Sequence, residues 1–219
     1  MKNTLILTLI LIYFLTLSSL SYHITHAYLT DSAQSSPNTF SAATQLSTPT
    51  PATSSAALVI NEVYYDPDTA HLIGDENDSE WIELYNPTPF TVNLKDWKIT
   101  DNFGPERTII TTNRNLSPGH FIILAKTTSV RTIWGIDESI FIPIGANFGN
   151  GLSNSEDLVI LKDKFGSIID QMNYSTNTTG PNPPVHDVAK GHSLERNPDG
   201  IDTNTAADFV DRTVPQPGI

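Results

Sequence analysis

The chain has no cysteine among its 219 residues. That excludes disulfides, thiolate metal ligands and a cysteine nucleophile. Any fold it adopts rests on packing and polar contacts, not on covalent cross-links. Basic side chains are scarce as well: 12 Lys+Arg stand against 24 Asp+Glu, a formal net charge of −12. Such a surface repels phosphate backbones, and no local run of lysine or arginine offsets it, so the composition argues against nucleic-acid binding. No segment keeps apolar residues at i, i+3, i+4 and i+7 over several turns, which removes long amphipathic helices. Gly-x-Ser-x-Gly, His-Glu-x-x-His, P-loop and Gly-x-Gly-x-x-Gly motifs are all missing. Serine hydrolase, zinc protease and nucleotide chemistry therefore have no evident seat.

What is present begins with an export signature. Lys2 is the only charge before residue 28, Leu5 to Leu17 is apolar, and Thr25-His26-Ala27 offers a small residue before a cut. Residues 1–27 read as a signal peptide, because the apolar run is shorter than the roughly 20 residues of a bilayer span. The alternative is retention as a membrane anchor through residues 5–20. Residues 28–57 are dominated by Ser, Thr, Ala and Pro, with Pro37, Pro49 and Pro51 barring a helix. So little apolar mass cannot offset ordering entropy, and the segment reads as a disordered linker. The expected location is secreted or at the cell surface.

From Leu58 onward the pattern changes to short runs of Ile, Val, Leu and aromatics, bounded by Gly, Pro, Asn or Asp. Strands are predicted at 58–65, 81–85, 97–100, 108–110, 121–125, 158–162, 168–174 and 192–196. A helical turn or two is predicted over 127–134. Lys162-Asp163-Lys164-Phe165-Gly166 reads as a hairpin connection. Many short strands without intervening helices predict an all-β sandwich or barrel over 58–219. Trp81, Trp97, Phe121 and Leu158 to Leu161 are the expected core.

Five sets of residues are candidates for chemistry. Asp66, Asp68, Asp75, Glu76, Asp78 and Glu80 crowd the loop between the first two strands, beside His71 and Gly74. Calcium needs six to eight oxygens, and this loop offers several, although its spacing is not an EF-hand. Calcium is thus the one cofactor the residues suggest; the plain alternative is a solvated loop. Glu62, Glu83, Glu195 and Arg196 form the second set. Paired carboxylates can act in glycoside hydrolysis, but the structural expectation is an ion pair between Arg196 and a strand glutamate. His71, His120, His186 and His192 lack metal-ligand spacing. Trp134, Phe141, Phe148 and Tyr174 lie near predicted loops, where rings either stack on sugars or pin loops to the core. Asn77, Asn115, Asn173 and Asn177 head Asn-x-Ser/Thr sequons.

The ordered motifs Val59-Ile60-Asn61-Glu62-Val63, Glu80-Trp81-Ile82-Glu83-Leu84-Tyr85-Asn86 and Leu94-Lys95-Asp96-Trp97 open a family pattern. Leu116-Ser117-Pro118-Gly119, Phe121-Ile122-Ile123-Leu124-Ala125, Asp157-Leu158-Val159-Ile160-Leu161 and Ser193-Leu194-Glu195-Arg196 continue it, and Ala207-Asp208-Phe209 closes it. Together they resemble the lamin-tail domain family, in its prokaryotic secreted or surface form. The resemblance implies an immunoglobulin-like β-sandwich associated with binding and tethering, and it supplies no catalytic residues. With no coiled-coil rod before the domain, a filament role is not implied. The expected function is an exported, non-enzymatic binding or tethering module whose partner is a protein or cell-envelope component. The alternative is a metal-assisted hydrolase or carbohydrate-binding module using loop 66–80. Trp81, Trp97, Glu83 and Arg196 are expected to be structural.

Overall fold

The computed structural model describes residues 57–101 and 103–219. The expected signal peptide or anchor, 1–27, and, except for Ala57, the expected linker, 28–57, lie outside the described residues. The strands are β1 (Val59–Tyr64), β2 (Trp81–Tyr85), β3 (Val92–Asn93), β4 (Lys98–Thr100), β5 (Arg107–Thr108), β6 (Asn115–Leu116), β7 (Phe121–Ala125), β8 (Phe141–Pro143), β9 (Glu156–Lys162), β10 (Ile168–Ser175), β11 (Ser193–Arg196) and β12 (Phe209–Arg212). Among the described residues one α-helix, α1 (Thr128–Trp134), and 3-10 turns at Glu76–Asp78, Glu138–Ile140 and Ala206–Asp208 join them.

One sheet runs β12-β11-β1-β2-β7-β8 and a second runs β10-β9-β4-β5, while β3 and β6 pair with each other. Neighbours are antiparallel except β7 and β8. A parallel pair needs a crossover, and α1 supplies it. The two large sheets form an immunoglobulin-like β-sandwich. Alternation along each strand fills the space between them: Ile82 and Leu84 from β2, Ile122 and Leu124 from β7, Ile99 from β4, Val159 and Leu161 from β9. Tyr65 and Tyr174 stack at 4.2 Å within this core.

A bulge in β1 decides what the outer face carries. The β1–β2 register shifts between Ile60 and Glu62. Ile60 and Val63 both point inward, so the extra residue leaves Asn61 and Glu62 together on the outside. Further along that outer face, Tyr64, Trp81, Ile123, Ala125, Val130, Ile136 and Phe141 form a second apolar cluster. It is built on α1 and the segment after it. The helix stops at Gly135, whose φ of 67° is the left-handed conformation that closes a helix C-terminus.

Predicted β2 and β7 agree with the observed bounds, and α1 occupies the expected helical turn. The strands β3, β6, β8 and β12 lie outside the predicted runs. Two core expectations change. Trp81 is fully buried, but on the outer side of its sheet beneath α1. Phe121 is half-buried on that same side, 4.7 Å from Tyr85. Both sit one residue out of phase with the inward-facing Ile82 and Ile122. Leu158 and Ile160 likewise alternate away from the inter-sheet space that Val159 and Leu161 fill.

Candidate functional site

The β1–β2 loop holds all six acidic candidates, and the fold gives them separate partners. Asp68 accepts from the His71 backbone N–H at 3.0 Å and contacts the His71 ring at 2.6 Å. Asp66 and Glu76 share Lys190, at 3.4 and 3.2 Å. Asp78 pairs with Lys126, and Asp75 is exposed. Glu80 is fully buried: its Oε2 accepts from the Leu152 N–H at 3.2 Å, and its Oε1 has no hydrogen-bond partner. Burial, reinforced by the charge of Asp157, pushes its carboxyl up to about 8. Among the described residues, no group of three or more His, Asp or Glu side chains is arranged to hold a metal ion.

A second cluster of acids lies across the outer face of the six-stranded sheet. The register sets Glu62 opposite Glu195 on β11 and opposite Glu83 on β2. Three glutamates on three adjacent strands thus form one row, each at most 2% exposed. Arg212 pairs with Glu195. Asn61, placed outside by the bulge, donates to Glu83 Oε1 at 2.9 Å and to Asp199 at 3.1 Å. Ser193 donates to Glu62 Oε1, while Glu62 Oε2 has no hydrogen-bond partner. Burial, with the neighbouring Glu195 adding, pushes Glu62 up to about 7. Burial and the charge of Glu62 push Glu83 up to about 8. Glu62 and Glu83 sit side by side under this burial, an arrangement that favours a retained proton on the pair.

Arg196, on β11, points the other way, into the sandwich, and is 2% exposed. Its Nε donates to the Ile60 carbonyl at 2.8 Å, and its Nη1 to the Ile201 carbonyl at 2.8 Å and to Asp208 at 3.2 Å. Nη2 donates to Asp170 on β10 at 3.0 Å. Asp202 lies at 3.4 Å, and the guanidinium sits 4.5 Å over the Phe209 ring. Asp170 also accepts from the Ile60 N–H at 2.7 Å. The expected partner, a strand glutamate, is therefore corrected: Arg196 pairs with aspartates. The glutamates at 62, 83 and 195 share the outer face, whereas Arg196 is one residue out of phase with Glu195. The cavity beside this centre is about 10 Å³, room for about one water.

The remaining candidates occupy separate places. Phe148 and Tyr174 are fully buried, Phe141 is buried, and Trp134 is half-buried with the His71 ring stacked on it at 3.9 Å. His192 pairs with Asp211, His120 contacts the Pro118 carbonyl, and His186 is exposed. Of the sequon asparagines, Asn173 and Asn177 are buried, Asn77 is half-buried and Asn115 is exposed. Sequence reasoning missed Asp170 and Asp208 as partners of Arg196, because they come from β10 and from the turn before β12.

No curated protein matches the chain. A solved structure, a DUF4876 family protein from Bacteroides thetaiotaomicron VPI-5482, is similar at 10% identity and a TM-score of 0.49, covering 73% of this chain and 72% of its own. The family model described as Lamin Tail Domain matches residues 51–176, more than half of the sequence. The chain belongs to the lamin tail domain family.

Proposed function

We propose that the chain is an exported, non-catalytic protein-binding module that meets its partner through the tip of the β9–β10 hairpin. The lamin-tail fold supports a non-catalytic binding module in general. Export rests on the residues of 1–27, with their small basic start, apolar run and small residue before a cut.

The observation that carries the reading is the way Phe165 is presented. Its side chain is 82% exposed, yet its backbone is tied down. The Asp163 carboxylate accepts from the N–H groups of Phe165 and Ser167, each at 2.9 Å. The Asp163 N–H closes the loop on the Ser167 carbonyl at 3.0 Å. A large ring on a pre-ordered turn adds contact area at small entropic cost, as binding hot spots do. Lys164 lies 5.0 Å from that ring. Together with Lys95, Asn93, Asp96 and Asn113 it lines an open recess of about 240 Å³. Lys95 and Lys164 here face Asp96 and Asp163, so the tip favours a partner with an apolar socket and a polar rim of mixed charge.

Phe165→Ala is expected to weaken binding of the envelope partner at least about tenfold, the loss of one anchor, while leaving the melting temperature unchanged. The measurement is capture from the native envelope by the full chain and by the variant, with thermal melts of both. Equal capture by wild type and variant would remove the hairpin tip as the contact.

A further inference from the structure

Two members of the glutamate row, Glu62 and Glu83, are covered by residues 215–219. The backbone N–H of Gln216 donates to Glu62 Oε1 at 3.4 Å, and that of Gly218 donates to Glu83 Oε2 at 2.6 Å. Pro215 is buried. Gly218 has a φ of 91°, and a Cβ there would lie 2.6 Å from Ile140 Cδ1. The segment therefore fits into the seam between the glutamates and the apolar cluster beneath α1. Just before it the chain emerges, with Val214 67% exposed. We propose that residues 215–219 are a strap that closes over Glu62 and Glu83 while this carboxyl pair retains a proton, and that leaves the sheet when both ionise.

The argument is electrostatic. Cross-strand partners place their Cβ atoms about 5 Å apart. Two carboxylates at that spacing repel strongly when a cover of peptide keeps water out. The charged groups around them cannot absorb this. Glu195 on β11 adds a like charge and Asp199, in the loop after β11, another. Among the described residues Arg212 on β12 is the one cation beside them, and it is engaged with Glu195. Strand β7 presents Ile123, the Glu138–Ile140 turn presents Ile140, and the strap's own side chains carry no charge. The strap's N–H groups, donating to Glu62 and Glu83, favour the ionised forms, but burial outweighs them; ionisation is relieved by admitting water, and the strap is the element in the way. Closure of the strap thus takes up protons, and raising the pH through about 7 to 8, where Glu62 and Glu83 titrate when covered, opens it.

The test is hydrogen–deuterium exchange of the full chain at pH 6 and pH 9, corrected for the intrinsic base dependence of amide exchange. Peptides spanning 213–219 are compared with those spanning β7. Protection of 213–219 is expected to fall at least about tenfold between the two pH values while β7 keeps its protection. Glu83→Gln and Glu62→Gln, which cannot ionise, are expected each to preserve strap protection at pH 9. A strap equally protected at both pH values, or exposed already at pH 6, overturns the proposal. So does a pH-dependent loss that is the same in both glutamine variants. The readout is separate from partner capture, so failure here leaves the hairpin-tip reading standing and the reverse also holds.

Discussion

Arg196→Ala is expected to lower the melting temperature by roughly 10 °C. The side chain makes four hydrogen bonds and joins the sheets, since it extends from β11 to Asp170 on β10. Removing it leaves Asp170 and Asp208 buried without their cation, and leaves the Ile60 carbonyl without that donor. Breaking a buried pair by deleting one partner costs about 3–5 kcal/mol, and each kcal/mol shifts the melting temperature by about 2–4 °C at this size. Arg196→Lys keeps the charge but loses the planar fork that reaches several acceptors at once, so an intermediate loss is expected. Thermal melts of both variants with Asp170→Ala and the Arg196→Ala/Asp170→Ala double variant measure the coupling directly. An Arg196→Ala protein that melts with the wild type would show that the centre contributes nothing.

Glu80→Gln is expected to stabilise the protein at pH 9 and to change it little at pH 4. Glu80 is pushed up to about 8 from an ordinary 4.5, first by burial. Below about 4.5 both folded and unfolded chains carry the proton, and the group is neutral in the balance. Between there and about 8 only the folded chain retains it, so unfolding releases a proton and stability falls as pH rises. Above 8 the carboxylate is charged inside the protein and the loss is complete, on the order of 3–5 kcal/mol for a shift of this size. Glutamine retains an acceptor for the Leu152 N–H and cannot ionise. Denaturant unfolding at pH 4, 7 and 9 is the measurement, and the gap between variant and wild type should widen with pH. A gap constant across that range would place the cost of Glu80 in packing rather than in charge. Glu62 and Glu83 slope the same way, so the wild-type protein is expected to be most stable under mildly acidic conditions.

Both predictions turn on features of uneven legibility in the sequence. Runs such as Trp81–Tyr85 and Phe121–Ala125 declare themselves because alternation and β-branching act over five residues. Strands of two to four residues, β3, β6, β8 and β12, have too few side chains to establish a period. Their pairing comes from neighbours already in place. The phase of a strand is harder still. Nothing in Val59-Ile60-Asn61-Glu62-Val63 announces a bulge, yet the bulge decides that Asn61 and Glu62 share the outside. Burial of Glu80 was hidden by its place at the end of an acidic run whose other members are part or fully exposed. Arg196 was recognisable as structural. Its partners come from β10, the loop after β11 and a late 3-10 turn, a convergence that spacing along the chain does not encode.

The placing of β1 has a consequence for synthesis. Its neighbours are β2, which follows closely, and β11, which is among the last strands made. A growing polypeptide therefore holds β1 with one side open until the residues of β11 have left the ribosome. The long search for that distant neighbour favours slow acquisition of the native state. Until then the unpaired side of β1 is a point where two nascent copies can join wrongly.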